Sequence, residues 1–405
     1  MINNKTIYHI VTTSGENYNS VYLNWHSDKN NSYVLLKEAD DSNFKKMKPT
    51  SAIYWDTKNT FNANSEDSFY INTRYVCYLH LTDLSDNTIY EYKIVNDDEE
   101  SDTYSFKITS DTSLKFLAFS DLQNPGNLVT HNLMNKLSEL CPDANLMVCS
   151  GDLTGTAANE SEWTWLLDNS INPFKDKIFS SSVGDHEYWG KDVGRGIPMM
   201  NIPDTYNHIF RNPQNGPINY LNSSYYFIKS RVLFIFLNMG DSNTIKGPIF
   251  EEQILWFNDT INALKEQYDF LIILAHKSLY GSTLIDPGVA KYIKPVWTKV
   301  FDNANVDLVI SGHDHLYSRT KQLYQDQVSN NSNKGCFYLD LGSSGNKRRN
   351  LDGTTDDNLH ECIIDINGLN IAVGATCEVE NDSLIVKIYD QEGILRDHFR
   401  INKKF

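Results

Sequence analysis

The sequence predicts an all-β sandwich over residues 1–112, followed by an α/β domain over residues 113–405. In the first part, short runs of strand-forming residues alternate with polar turns, and no long helical pattern interrupts them. From Leu114 onward, apolar strands alternate with helix-like stretches, which is typical of sheets covered by helices. The length of 405 residues also favours more than one domain.

Hydrophobic periodicity and turn residues place the individual elements. In the first part, strands are predicted near residues 5–12, 20–26, 33–38, 72–82, 88–95 and 102–108. In the second part, the predicted strands are Lys115–Ser120, Leu146–Cys149, Ile178–Val183, Val232–Leu237, Phe270–Leu274 and Val306–Ile310. Helical stretches are predicted before about residue 140 and near 160–168, 250–266 and 287–304. Strands return after about residue 335, and Ser383–Tyr389 is expected to complete the second sheet.

The composition excludes several classes of protein. The 36 basic and 52 acidic residues give a formal charge of −16, which argues against a surface for nucleic acid or anionic membranes. The six cysteines form no Cys-x-x-Cys pair, so they are interpreted as buried apolar residues and not as a disulfide or zinc framework. No window is apolar enough for a membrane span. We expect a cytosolic chain, or one whose signal peptide has been removed.

Five short motifs stand at the ends of predicted strands. They are Ser120-Asp121-Leu122-Gln123, Gly151-Asp152-Leu153-Thr154-Gly155, Gly184-Asp185-His186-Glu187, Ala275-His276-Lys277 and Gly312-His313-Asp314-His315. Each motif alone has an ordinary explanation, because Gly-Asp is common in turns and histidines also occur there. Five of them in one order, all at strand ends, indicate a shared site.

The spacing of the aspartates predicts that they meet at one edge of a sheet. Asp121 and Asp152 are 31 residues apart, and Asp152 and Asp185 are 33 apart, about one βαβ unit each time. Successive right-handed units return the chain to the same edge, where open α/β sheets bind ligands. Three carboxylates in one crevice repel each other unless cations neutralise them.

Three histidines are expected to join the carboxylates from later strands. They are His276, His313 and His315. Carboxylates and imidazoles together suit Zn²⁺, Mn²⁺ or iron, and six ligands are too many for one tetrahedral site. Two ions roughly 3.5–4 Å apart fit this number of ligands. The glycines before Asp152, Asp185 and His313 are expected to let the backbone turn sharply.

The motif series resembles the calcineurin-like metallophosphoesterase superfamily. The likeness is to its purple acid phosphatase-like branch, in which a fibronectin type III-like domain precedes the catalytic domain. The resemblance extends through SSYYFIKSRVLFIFLN, FEEQILWFNDTINAL, AHKSLYGS, SGHDHLYSRT and VENDSLIVKIYDQEGILRDHFRI. It covers residues 114–405 well and residues 70–112 more loosely.

The resemblance implies a four-layer αββα domain that hydrolyses phosphate esters with two metal ions, of iron, manganese or zinc. Asp121 and His315 would hold the first ion, and Asp152 would bridge both. Asp185, His276 and His313 would hold the second ion. The ions would convert water to hydroxide near neutral pH. His186 would contact the substrate phosphate or protonate the leaving group, so Asp152 and His186 are the expected catalytic residues.

Other residues are candidates from position alone. His208 and Tyr317 are candidate substrate-binding residues, and a structural role is the alternative for each. Lys277 and Arg319 could supply positive charge to the site or could simply be solvated. The expected partner is a small phosphorylated substrate. The family resemblance implies a secreted or cell-surface protein if a signal peptide was removed.

Three positions depart from the family pattern. Gly155 stands where purple acid phosphatases have the tyrosine that colours their ferric ion, so a purple centre is not expected. Gln123 stands where the wider superfamily has histidine, and could be a weak oxygen ligand or could orient one. Asp185 replaces the usual asparagine, which should strengthen cation binding and weaken the attraction for an anionic substrate.

The motifs leave two alternatives to an acid phosphatase-like phosphomonoesterase. A phosphodiesterase would use the same metal ligands, because the walls of the pocket decide between the two substrates. A catalytically weak binding or surface protein on the same scaffold is suggested by the three departures. The presence of all three histidine ligands together with His186 argues against that last reading.

Overall fold

Two large sheets, a four-stranded sheet and a two-stranded sheet form the β-structure of the described residues. The computed structural model describes residues 5–56, 73–109, 114–123, 128–169, 173–189, 202–239, 249–281, 288–351 and 358–404. The predicted boundary at residues 112 and 113 lies outside these ranges. No helix among the described residues is both long and apolar enough to cross a membrane.

The first part of the chain is a sandwich of antiparallel strands. Its strands are β1 (Ile7–Ser14), β2 (Val21–Ser27), β3 (Tyr33–Glu38), β4 (Lys45–Met47), β5 (Ser51–Asp56), β6 (Thr73–Leu81), β7 (Ile89–Val95) and β8 (Tyr104–Lys107). Strands β4-β3-β7-β8 form one sheet, and β1-β2-β6-β5 belong to the other. Trp25, Val34 and Tyr92 are fully buried in one apolar cluster that holds the two sheets together.

The second part supplies fifteen further strands among the described residues. They are β9 (Leu114–Phe119), β10 (Leu146–Cys149), β11 (Ile178–Ser181), β12 (Tyr225–Lys229), β13 (Val232–Leu237), β14 (Phe270–Lys277), β15 (Leu308–Gly312), β16 (Tyr317–Thr320), β17 (Leu323–Tyr324), β18 (Gln327–Val328), β19 (Phe337–Asp340), β20 (His360–Ile364), β21 (Val373–Glu380), β22 (Ser383–Asp390) and β23 (Leu395–Asn402). One sheet has the order β23-β22-β21-β9-β10-β11-β1-β2-β6-β5, and the second β12-β13-β14-β15-β19-β16-β20. Strands β17 and β18 form a separate pair.

Helices cover the outer faces of both sheets. They are α1 (Val129–Leu140), α2 (Glu160–Leu167), α3 (Asp204–Ile209), α4 (Ile249–Leu264) and α5 (Lys294–Ala304), which a π-helical turn at Val289–Ile293 precedes. Short 3₁₀ turns occur at Pro173–Lys175, His186–Tyr188 and Ile218–Tyr220. Leu133 of α1 and Trp163 of α2 pack against the first sheet. Phe257 of α4 and Trp297 of α5 pack against the second sheet. Apolar side chains of both sheets also meet each other, so the predicted αββα arrangement is confirmed.

The prediction for Ser383–Tyr389 is wrong, because this strand belongs to the first sheet. Strand β21 pairs antiparallel with β9, and β22 and β23 continue outward from it as a meander. Strand β9 is the first strand of the α/β part and leaves an edge that the returning chain can occupy. The second sheet is completed instead by β19, β16 and β20.

The sandwich and the α/β part share one sheet through β1 and β11. These strands pair in parallel, with Thr13 opposite Phe179. A buried ionic cluster lies beside the junction: His9 contacts Asp168 and Glu160, each at 2.8 Å, and Arg74 also binds Glu160. Burial opposes protonation of His9, but the two carboxylates outweigh it and raise its pKa to about 9. Backbone pairing and buried charge therefore join the two parts.

Candidate metal centre

The register of the first sheet brings the three aspartates to one edge. Phe119 pairs with Cys149, and Cys149 pairs with Ser181, so β9, β10 and β11 end level with one another. Asp121, Asp152 and Asp185 follow these ends by two to four residues. Their gathering at the carboxyl edge of the sheet agrees with the prediction from spacing.

Four of the clustered side chains stand on strained backbone. Asp121, Asp152, His313 and His315 have φ of 52°, 54°, 74° and 55°, in the left-handed region that residues other than glycine rarely adopt. Such conformations persist where the surrounding structure enforces them, and they are concentrated at functional sites. The turns after the strands are thus shaped to direct these side chains inward.

The glycines of the motifs allow neighbouring loops to approach each other closely, more than they allow sharp turns of the backbone. Gly151 does have a positive φ of 111°, as expected. Gly184 and Gly312 do not, yet a Cβ atom at Gly184 would collide with Asp152, and one at Gly312 would collide with Ser120 and Asp121. These two positions need glycine because another motif passes against them.

The six side chains form two adjacent groups of three. One group is Asp121, Asp152 and His315, and the other is Asp185, His276 and His313. Within each group, three potential ligand atoms lie within 4.8 Å of one another. His276 Nε2 lies 3.3 Å from Asp152 Oδ2 and 3.2 Å from Asp185 Oδ1, so Asp152 stands between the two groups.

The chemistry of these atoms fits bound cations. His276 Nδ1 faces the carbonyl oxygen of Ser150 at 3.2 Å and can donate a hydrogen bond to it. In that tautomer Nε2 turns its lone pair toward the carboxylates. Within the described ranges, neither this atom nor the buried Nδ1 of His315 has a hydrogen-bond partner. Burial, aided by Asp152 and opposed by His276, raises the pKa of Asp121 to about 6. Against the effect of burial, His186 and His276 hold the pKa of Asp152 below its usual range, and Lys277 does the same for Asp185, so the cluster depends on neighbouring positive charge.

Glu187, for which no role was predicted, holds two motifs together. Its buried carboxylate accepts hydrogen bonds from the backbone N–H groups of Asp152, Leu153 and Gly184, at 2.9, 2.8 and 2.6 Å. Burial, with a further contribution from Asp152, raises the pKa of Glu187 to about 8. Its position two residues after Asp185 was visible in the sequence, but its partners 34 and 35 residues away were not.

His186, Gln123 and Lys347 form a polar wall beside Asp152. The backbone N–H of His186 donates to Asp152 Oδ1 at 3.1 Å, and Nδ1 lies 2.6 Å from the carbonyl oxygen of Gly155. Gln123 Nε2 donates to Asp152 Oδ2 at 2.7 Å, so its contacts fit the orienting role and not that of an oxygen ligand. Lys347 Nζ lies 3.1 Å from both Gln123 Oε1 and His186 Nε2.

Lys347 was missed by the sequence analysis. It follows β19 in the run Lys347-Arg348-Arg349, the only three consecutive basic residues in this acidic chain. That run was the available signal. Burial lowers the pKa of His186, and Lys347 lowers it further, against the opposing effect of Asp152. A lysine therefore faces the imidazole that was expected to meet the substrate.

Lys277 lies in the centre of the second group. Its Nζ is 3.1 Å from Asp185 Oδ1 and 3.3 and 3.2 Å from the two ring nitrogens of His313. A β-bulge between Leu274 and Lys277 inserts one residue relative to β15. Consecutive strand residues normally point to opposite faces, and the bulge explains why His276 and Lys277 both reach Asp185. Of the two expectations for Lys277, supply of positive charge is the one its contacts fit.

Three other candidates do not join the cluster. His208 stacks on Trp55 at 4.2 Å, and its Nδ1 faces the carbonyl oxygen of Asp204, so it packs against the sandwich. Tyr317 is fully buried between the sheets, with its hydroxyl donating to Asp397. Arg319 also pairs with Asp397. The contacts of His208 and Tyr317 fit the structural role that was the alternative for each, and their contact with substrate stays a prediction.

Comparison with protein families gives two matches. A family model described as calcineurin-like phosphoesterase matches residues 114–317, just over half of the chain. A second model, described as the N-terminal domain of purple acid phosphatase, matches residues 7–108. Between them, the two models cover the sandwich and all six clustered side chains.

Individual relatives are distant. An uncharacterized protein of Mycobacterium tuberculosis is 25% identical over 303 residues, covering 67% of this chain and 55% of the relative. Purple acid phosphatase 22 of Arabidopsis thaliana is 22% identical over 299 residues, covering 72% of this chain and 64% of the relative. The chain thus spans little more than half the length of the mycobacterial relative.

A solved structure shares the whole fold. The structure of a purple acid phosphatase from yellow lupin (Lupinus luteus) seeds matches with a TM-score of 0.80. The match covers 100% of this chain and 76% of the lupin chain, at 16% sequence identity. The sandwich and the α/β part therefore occur together, in the same arrangement, in that protein.

Proposed function

The chain belongs to the calcineurin-like phosphoesterase family, and on that premise we propose that it hydrolyses phosphate monoesters at a centre of two metal ions. The main support is the pair of adjacent ligand groups, which unite carboxylates and imidazoles from five strand ends. Mn²⁺, Zn²⁺ and iron are the ions that such ligands suit.

Each group would hold one ion. Asp121 and His315 would bind the first, and Asp152 would lie between the ions, as its contact with His276 suggests. Asp185, His276 and His313 would bind the second. When bound, such ions generate a nucleophile from water near neutral pH and neutralise charge on the phosphoryl oxygens.

The polar wall supplies the contacts to substrate. The Nδ1–H of His186 donates to the Gly155 carbonyl, which fixes the ring and directs Nε2 to the side where Lys347 stands. Lys347, which stands beside His186 Nε2, would present a charged donor to a phosphoryl oxygen, and such hydrogen bonds are stronger than those of neutral donors. Gln123 holds the Asp152 carboxylate and anchors Lys347 at the same time.

One lysine favours a monoester over a diester. A monoester dianion carries one more negative charge than a diester monoanion, so Coulomb attraction to Lys347 discriminates between them. A phosphodiesterase using the same ligands remains the second candidate, and a binding protein on this scaffold the third. The buried, strained ligands disfavour the binding protein, since maintaining them costs stability.

Hydrolysis of two aryl phosphates tests the proposal. Protein stripped with chelator and reloaded with Mn²⁺, Fe²⁺ or Zn²⁺ should hydrolyse p-nitrophenyl phosphate with a higher kcat/KM than bis(p-nitrophenyl) phosphate. Chelator should abolish both activities, and Asp152→Asn should not recover them with any metal. A preference for the diester would support the phosphodiesterase, whereas binding of metal without hydrolysis of either ester would support the binding protein.

A further inference from the structure

We propose that Lys277 is a built-in competitor of the second metal ion, so that the two ions bind with unequal affinity. This inference rests on the proposed two-metal site. Lys277 Nζ lies at hydrogen-bond distance from Asp185 Oδ1 and from the ring nitrogens of His313. Two of the three ligands of the second ion are therefore also ligands of an ammonium group.

In the described part of the chain, no lysine or arginine contacts the carboxylates of the first group in this way. Among the described residues, no ion pair joins a lysine or arginine to Asp121 or Asp152. Lys347 is also a cation beside the site, but its ammonium group binds Gln123 and His186, which belong to neither ligand group. The groups therefore differ in direct contact: Lys277 touches ligand atoms of the second group, whereas Lys347 and Arg349 act on the His315 ring of the first only by charge.

Lys277 is held firmly in its place. The residue is 1% exposed, and the bulge in β14 fixes the direction of its side chain. A buried ammonium is stable only beside compensating negative charge, which Asp185 provides. An ion entering the second group must therefore share Asp185 with Lys277 or displace it, and must overcome repulsion between two positive charges in a poorly hydrated pocket.

The Asp185–Lys277 pair also explains why the family asparagine is replaced here. An aspartate alone would bind the second ion more tightly than asparagine, whereas the pair returns the local charge to that of a neutral ligand. The consequence is one resident ion and one exchangeable ion, so hydrolysis should follow the free concentration of the metal that fills the second group.

Calorimetric titration of the full chain with Mn²⁺ tests the inference without an activity measurement. Chelator-stripped wild-type protein should show two binding steps, the weaker one assigned to the second group. Lys277→Met should strengthen the weaker step at least about tenfold and leave the tighter step unchanged. A matched control is Lys175→Met, because Lys175 is also buried but stands beside Tyr104 at the sandwich. This control should change neither step.

The possible outcomes separate this inference from the proposed function. A weaker step that is unchanged or weaker in a folded Lys277→Met protein would overturn the competition. Absence of both steps in wild type and variant would overturn the metal centre itself. If Lys277→Met fails to fold, Lys277→Gln, which keeps a polar side chain without the charge, gives the same comparison. Circular dichroism establishes folding in each case.

Discussion

At the scale of single residues, departures from the family pattern are matched by other side chains. Asp185 replaces an asparagine and faces Lys277 at 3.1 Å. Gln123 replaces a histidine and binds both Asp152 and Lys347. Two of the three departures, Asp185 and Gln123, thus have a partner within hydrogen-bond distance, and Gly155 is the exception. The site is therefore a consistent variant of the family pattern and does not have the character of a decayed one.

His186→Ala tests the role of the imidazole beside Asp152. The variant should lose turnover by roughly 10²-fold or more, which is typical of losing a general acid. Metal content should not change, because His186 is outside both ligand groups. Steady-state kinetics with an aryl phosphate, paired with elemental analysis, measure the two effects. Full activity with normal metal content would show that His186 has no part in catalysis.

Lys347→Met tests whether this lysine binds the phosphate. The Michaelis constant should rise about 10- to 100-fold, since a hydrogen bond from a charged donor contributes about 1.5–3 kcal/mol. Arg348→Met is the matched control: it removes one charge from the same run, but Arg348 binds Asn370. The control should change the Michaelis constant by less than about threefold. Equal changes in the two variants would point to long-range charge and not to contact.

The metal ligands could be predicted from sequence because local rules place them. Aspartates and histidines at successive strand ends must share an edge, and Asp121, Asp152 and Asp185 do so. Lys277 and Lys347 could not be placed, since a bulge directs one and a distant segment carries the other.

At the scale of elements, most strands with apolar runs were predicted, although Tyr225–Lys229 was not, and polar edge strands were missed. Strand Val232–Leu237 was predicted with its observed bounds. Strands β4 and β5 were missed, because Lys45–Met47 is short and exposed and Ser51–Asp56 is mostly exposed. The sheet membership of β22 was also wrong, since pairing partners far apart in sequence leave no local signal.

Glu187→Ala tests the junction between two loops that carry ligands. Removing the carboxylate leaves three backbone N–H groups unpaired, at about 1–3 kcal/mol for each buried group. Urea unfolding should show a loss of at least about 3 kcal/mol, and metal content should fall with it. Glu99→Ala is the matched control, because Glu99 accepts from the backbone of Thr6 and Ile7 in the sandwich. It should lower stability but leave metal content unchanged; retained metal in Glu187→Ala would contradict the proposed role.

At the scale of the whole molecule, the sandwich is part of the structure that carries the site. Strand β1 extends the sheet whose β9, β10 and β11 present the aspartates. The ionic cluster of His9, Arg74, Glu160 and Asp168 fixes helix α2 to the sandwich. The presence of two domains could be predicted from the change in residue pattern near Leu114. The shared sheet that joins them through β1 and β11 could not be predicted, because parallel pairing over 166 residues has no sequence signature.

His9→Gln tests this junction through its dependence on pH. The folded pKa of His9, about 9, is above its ordinary value, so its stabilisation is complete below pH 6.5 and is lost as pH rises through 9. The shift corresponds to about 3 kcal/mol. Urea unfolding should therefore show that the free energy of unfolding of the wild type falls between pH 6.5 and 9.5. This fall should be largely absent from His9→Gln. His398→Gln, at an exposed position, should behave as wild type; parallel pH dependences for all three proteins would contradict the assignment.

Metal content per chain tests the central claim most directly. Protein purified without chelator, or reloaded with Mn²⁺, Fe²⁺ or Zn²⁺ at saturating concentration, should contain about two ions per chain by elemental analysis. Asp152→Asn should lose more metal than any other single ligand variant, because Asp152 stands between the two groups. Less than about half an ion per reloaded wild-type chain, against the two expected for paired ligand groups, would contradict the dinuclear centre.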